Sequence, residues 1–410
     1  MLKEKYINKT KETSINVNQT KIDSIKRTNI EKTSLRIYKN GYIGYAGAIG
    51  DYNEKTLKNR ALESLNNKIS YNYEVEGNKS MEEDLSTEII NEDKLVEEFE
   101  ELLSTLKKEQ PEFFFSNKIY LIENETKIIN DNNLSLYYKD KILSLLLLFK
   151  EKKSINVFDG YIQLIGREYN SNLILEYINN TCNAYKNQVK LPTKEKLPIV
   201  FPSSDMGPFI KFIKDLDGNN FGSGSSLFSN KKGQKIFDDN FTLYQNNNPK
   251  ETFVPFFDKE GVVNKNYKYP LINKGVLNSP YTDKRTSNKY SLPLTGAASG
   301  EYDGIPKLGF PRLSIKESEK TAKELLGGEM GIFIIVAQGG DFTTDGSFAT
   351  PVQLSLLFDG EKFVGRLPEI NISSNVFDMF GSSFRGVSKD TLSPISNDKF
   401  LIMDMKVNKL

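Results

Sequence analysis

GNNFGSGSSLFSNKKGQKIFDDNFTLY, residues 218–244, is the stretch on which the reading of the chain turns. It crowds Gly222, Gly224 and Gly233 among hydroxyl and amide side chains. It then passes through Phe237-Asp238-Asp239 into an apolar alternation at Phe241, Leu243 and Tyr244. Glycine tolerates positive φ and lets another backbone come close, so a tight polar turn system feeding a strand is expected. The segment is not a P-loop, since no GK[ST] ending follows and no hydrophobic strand precedes it. Ser223, Ser225 and Ser226 offer hydroxyls, but Lys231 is the only base near them. Their expected role is to satisfy turn amides.

Composition narrows the classes. A chain of 410 residues has room for two or three domains and a sizeable core. Apolar residues at 38% and charged residues at 27% describe an ordinary soluble protein. A net charge of +1 gives no broad field for nucleic acid or an anionic membrane. The first twenty residues lack an apolar stretch of the signal-peptide kind, and the run Ile142–Phe149 is far short of the ~20 residues a membrane span needs. One cysteine, Cys182, fits a reducing compartment, so a cytoplasmic location is expected. The chain contains no histidine. Zinc peptidase sites and catalytic triads normally use imidazole, so neither a catalytic residue nor a metal ligand is assigned, and no cofactor is expected.

Along the chain, residues 1 to about 30 suggest an edge strand or a loose arm. Leu35–Tyr38 and Tyr42–Ala46 flank Asn40-Gly41, a strong hairpin signal. From Asn53 a helical spacing places Leu57, Ala61, Leu65 and Ile69 on one face. A second helix is expected to open at Asn91, with Leu95, Phe99, Leu102, Leu103 and Leu106 as its buried stripe and Pro111 as its stop. Strand-like runs follow at Phe113–Phe115, Lys118–Ile122, Leu134–Tyr138 and Leu143–Phe149. A third helix, from about Ser171 to Asn187, carries Cys182 on its apolar side, where an inert buried thiol is expected. Two prolines within 191–198 mark a connection between an N-terminal α+β domain, 1–190, and a β-rich C-terminal domain, 199–410. Ile199–Phe201 is a short strand, and Ser204 or Asp205 caps a helix bearing Phe209, Phe212, Ile213 and Leu216. Asp215-Leu216-Asp217-Gly218-Asn219 has its glycine misplaced for a calcium loop and no distal glutamate.

Further short motifs follow the glycine-rich stretch in order: Phe257-Asp258-Lys259-Glu260-Gly261-Val262, Leu271–Leu277 (LINKGVL), Thr295-Gly296-Ala297-Ala298, and Gly339-Gly340 before Gly346-Ser347-Phe348. Together with 218–244 they resemble the TldD/PmbA family, most fully over 199–410. Before that, a hairpin followed by a helix is similar to the family's opening. In the family's catalytic branch the helix before the glycine-rich stretch carries an HExxxH zinc motif, and a cysteine ligand lies near the last loops. Here those positions read PFIKFIKD (208–215) and GSSFRG (381–386), so the chain resembles the PmbA (TldE) branch, which lacks the zinc site.

The resemblance implies an α+β fold and a subunit that pairs with a zinc-bearing TldD-like homologue, or with itself. The assembly would be a cytoplasmic peptidase acting on small or unfolded peptides, of the kind once called gyrase modulators. It marks Gly222, Gly224, Ser225, Lys231, Gly233, Asp258, Gly261, Gly275, Gly296 and Gly340 as family-signature or peptide-binding positions. A self-associating peptide-binding or scaffold protein is the alternative. A hydrolase using Ser225 and Lys231 is a third.

Overall fold

Seven β-strands and three α-helices lie within residues 2–186: β1 (Leu2–Asn18), β2 (Lys21–Lys39), β3 (Tyr42–Ile49), α1 (Glu54–Ser64), β4 (Lys79–Asp84), α2 (Leu95–Glu109), β5 (Phe113–Asn130), β6 (Leu134–Glu151), β7 (Gly160–Gly166) and α3 (Ser171–Lys186). The computed structural model describes residues 1–393 and 395–410. The strands form one sheet ordered β3-β2-β1-β5-β6, with β4 parallel to the start of β6 and β7 antiparallel to its end. Residues 1–30 are therefore not a loose arm, and β1 lies mid-sheet between β2 and β5. The four separate runs after Pro111 are two strands of 18 residues each. Apolar alternation lapses in the middle of these strands because charged residues face each other across the ladder. Glu123 lies opposite Lys141, and Glu125 opposite Lys139. Such cross-strand pairs hold a ladder without a hydrophobic face.

Local signals place the turns and caps. Asn40 and Gly41 both have positive φ, +52° and +76°, as a two-residue type I′ hairpin turn requires. Asn53 caps α1 by accepting from the Thr56 N–H, and Asn170 caps α3 through Leu173. The second helix starts later than expected, at Leu95. Asn91 instead turns the chain, its side chain accepting from the Asp93 N–H.

In the second half, β8 (Lys196–Pro202) runs between the strands Gly331–Ala337 and Lys399–Lys409. The ladder continues through Ile370–Asn375 and Ser347–Phe358 and returns to Gly331–Ala337, closing a ring of five strands. α4 (Ile210–Asp215) and α5 (Gly218–Ser223) precede a small sheet of β9 (Leu243–Asn246), β10 (Lys268–Asn273), β11 (Val276–Leu277) and Leu313–Ile315. The fold is α+β, as the sequence implies.

β8 explains how the halves join. Leu197, Ile199 and Phe201 enter one core with the phenylalanines of 209–241. Val200, between them, points the other way into a second core. That core also holds the buried faces of α2, α3, β5 and β6, together with Phe333, Phe358 and Phe400. Successive side chains of a strand face opposite sides, so one short apolar run seals both.

Candidate functional site

The glycine-rich stretch is partly helical rather than all turn. Asp217 caps α5 by accepting from the N–H groups of Asn219 and Asn220, and Gly224, at φ +82°, ends it. Phe221, Phe228, Phe237 and Phe241 are all buried and tie the polar turns to the core. Phe241 meets Phe380 with ring centroids 4.8 Å apart. Each such burial contributes roughly 1.5–3 kcal/mol. At Gly222 a Cβ would lie 2.2 Å from the Tyr290 ring, so that glycine is needed for packing. Gly224 and Gly233, both at positive φ, have no atom within 4 Å of where a Cβ would sit. What is open there is the space a side chain would fill, since the Gly224 N–H donates to the Phe221 carbonyl and the Gly233 N–H to the Leu277 carbonyl.

α4 is pinned beside this segment by a buried ion pair. Lys211 Nζ lies 3.0 Å from Asp215 Oδ2 and donates to the carbonyls of Thr343 and Thr344 at 3.0 and 3.2 Å. Asp215 Oδ1 accepts from the Leu227 N–H at 2.6 Å, and its carbonyl accepts from Ser226 Oγ. Asp215 and Asp217 therefore organise α4 and α5, which accounts for the calcium-like spacing. Ser225 Oγ donates to the Asn220 carbonyl and lies 3.1 Å from Ser223 Oγ, as expected for turn hydroxyls. Lys231 Nζ stands 5.7 Å from the centre of the Phe377 ring, a cation–π contact.

Signature residues from the later motifs gather elsewhere. Asp258 is buried and accepts from three backbone N–H groups, those of Glu260, Val262 and Ala298, each at 2.9 Å. Gly261, at φ +77°, donates to the Asp258 carbonyl, and Gly296, at φ +71°, lies against Val262 and the Asp258 carboxylate. Gly275 sits instead beside Gly233, its carbonyl accepting from Ile236 while Gly233 N–H donates to Leu277. Gly340 is packed on Thr350, next to the loop that receives Lys211. The ten positions thus fall in three places, and the structure does not bring them into one site.

Around Asp258 lies a buried network that the signature list omits. Glu260 accepts from the Tyr71 hydroxyl and from the Lys284 N–H, both at 2.9 Å. Tyr71 packs on Tyr38, whose hydroxyl donates to Glu4 at 2.9 Å. Glu4 also takes Arg36 and Asn130, and Arg36 donates onward to the Lys259 carbonyl. Burial raises the pKa of Asp258 and Glu260, Glu260 further because Asp258 stands beside it. Burial likewise lowers Lys259 to about 8, and its ammonium lies 3.7 Å from the centre of the Tyr6 ring. The sequence signal was a charge inside an apolar run, Arg36 in Leu35-Arg36-Ile37-Tyr38. No feature of its neighbours named Glu4 as the partner.

The family profile described as "PmbA/TldA metallopeptidase C-terminal domain" matches residues 194–408, and "PmbA/TldA metallopeptidase domain 1" matches 5–67. The chain belongs to the PmbA/TldA metallopeptidase family. Its fold matches TldE from Thermococcus kodakarensis at TM-score 0.79 and 18% identity, over 100% of this chain and 96% of that one. A proposed modulator of a DNA gyrase from Thermotoga maritima matches at 0.78 and 17%, covering 99% and 96%. A similarly described protein from Bacteroides thetaiotaomicron matches at 0.77 and 17%, covering 100% and 95%. No curated protein matches the chain.

The family name raises the question of zinc, and the donor set of this PmbA/TldA chain does not fit one. Among the described residues no three Asp, Glu or Cys side chains converge as a cation cage. The Cys182 thiol is buried within α3, and burial pushes it up to about 12. On α4 the interior position belongs to Lys211, whose ammonium is paired with Asp215, donates to two carbonyls and has no lone pair for a metal.

Proposed function

We propose that this chain is a non-catalytic, TldE-like subunit of a cytoplasmic peptidase that acts on small or unfolded peptides. In this reading a zinc-bearing TldD-like homologue supplies the metal, and this chain supplies part of the wall along which the peptide lies. The Lys211–Asp215 pair carries the reading, because it fills with a satisfied ammonium the helix that the catalytic branch uses for zinc. The open space over Gly224 and Gly233 supports a role in peptide approach, since a chain comes closest where no side chain projects.

Co-expression with a homologue carrying HExxxH tests it. The expected result is a stoichiometric complex that holds zinc in the partner and cleaves an unstructured peptide, while this chain alone does neither. One zinc per chain and steady peptide turnover from the isolated protein would overturn the reading.

A further inference from the structure

The outer side of β2 is paired with β3 only from Lys32 to Lys39. From Lys21 to Ile30 its other side is paired with β1, and among the described residues no strand covers the outer edge. Lys21, the run from Asp23 to Arg27, Asn29 and Ile30 are exposed, so both faces of the strand meet solvent there. Ile25 is 41% exposed and Ile30 42%. Edge strands are ordinarily protected by proline, brevity or charged side chains, lysine above all, but here Lys21, Lys26 and Arg27 stand with Asp23, so the charges of two copies can pair. This edge has no proline, is rich in β-branched residues and carries both signs. At the end where it begins, Lys21, Ile22 and Asp23 share a cavity with Lys152, which opens the loop bearing the fully exposed Ile155 and the 90% exposed Val157.

We propose that this edge is a docking surface for a second copy of the chain, the two β2 strands pairing antiparallel about a two-fold axis at Ile25. Charge selects that register. Asp23 of each copy then stands opposite Arg27 of the other, Ile25 opposite Ile25, Lys21 opposite Asn29 and Lys26 opposite Ser24. A shift of one residue would set Lys26 against itself, and like charges directly opposite destabilise a ladder. The pairing also ends before Lys32, where β3 takes the edge. Two seven-stranded sheets become one continuous sheet, an isologous arrangement in which one patch serves both partners. The surface is remote in sequence from α4 and requires no metal-bearing homologue, so its test is independent of the function proposed above.

The experiment uses the whole chain alone. Its single natural thiol, Cys182, is buried, so Ile25→Cys adds one accessible thiol. Directly opposed Cα atoms in an antiparallel pair lie ~4.5–5.5 Å apart, within disulfide reach. The expected results are a dimer by analytical ultracentrifugation and a disulfide-linked dimer of Ile25→Cys under mild oxidation. Lys21→Cys, facing Asn29, should give none. Arg27→Asp should weaken the dimer at least tenfold, and Asp23→Arg added to it should restore the dimer. A monomer at all concentrations, a dimer indifferent to the charge reversal, or cross-linking through Lys21→Cys in place of Ile25→Cys overturns the proposal.

Discussion

Glu4 and Arg36, each 1% exposed, meet at 3.1 Å in the interior between β1 and β2. Two charges taken out of water are best tolerated when their remaining hydrogen bonds are met. Tyr38 and Asn130 complete Glu4, and the Lys259 carbonyl takes one guanidinium nitrogen of Arg36 while its Nε has no partner among the described residues, so the pair also fastens the first half to the second. Arg36→Met strands a buried carboxylate and should cost about 3–5 kcal/mol in urea unfolding. Glu4→Gln combined with Arg36→Met should cost less than the two singles added together, which a double-mutant cycle reads directly.

Glu260 gives stability a pH dependence of known sign. Asp258, Asp283, Lys284 and Tyr71 surround it, and burial with the neighbouring Asp258 raises its pKa. A raised carboxyl binds its proton in the folded state at pH values where the unfolded chain has lost it. Its contribution is whole below the ordinary carboxylate value of ~4.3 and declines as pH rises through the raised one. Urea midpoints should therefore fall between about pH 5 and pH 8, and Glu260→Gln should flatten that slope.

Lys211→Ala tests the pin between α4 and the loop at 343–344. It removes the ammonium from Asp215 and two carbonyls at once. A loss of about 3–5 kcal/mol is expected, with the N–H groups of Gly346 and Ser347 exchanging hydrogen faster than in the parent protein.

Two glycines at nearly equal φ separate conformation from crowding. Gly233→Ala, at φ +79° in open space, should cost about 1–2 kcal/mol, the strain of the left-handed region alone. Gly275→Ala, at φ +76°, also drives a methyl to 2.3 Å from the Phe237 carbonyl. It should cost clearly more in thermal unfolding, and equal losses at the two sites would contradict this account.

Cys182 should resist alkylation. Its thiol is buried among α3 neighbours, and burial holds it protonated up to about 12. Native protein at neutral pH should take up no iodoacetamide, whereas protein in strong denaturant should take up one equivalent per chain.

How much of this was legible depended on whether a signal was local. Turn and cap residues such as Asn40-Gly41 and Asn53 act on their own neighbours, and the structure places the hairpin and the first helix where those residues imply. The stripe Leu95–Leu106 was readable for the same reason, its 3.6-residue period being a property of one segment. β1 and the full lengths of β5 and β6 were not legible, because their middles are stabilised by charges opposite one another across the ladder. Sequence proximity carries no trace of such pairings. The same holds for Glu4 with Arg36 and Tyr71 with Glu260, separated by 32 and 189 positions. Lys211 with Asp215 could have been found, since four residues apart on a helix they share a face. The glycine-rich stretch showed its polar turns, but its four buried phenylalanines were the stronger structural statement.

The alternation along β8 has a consequence for how the protein comes apart. Because Val200 belongs to the mass that also contains Leu145, Ile178, Phe358 and Phe400, severing the peptide near residue 190 leaves two pieces with raw greasy flanks. Neither should persist alone as a folded fragment, yet mixed together they should reassociate. A calorimeter heating the intact chain should record a single cooperative peak.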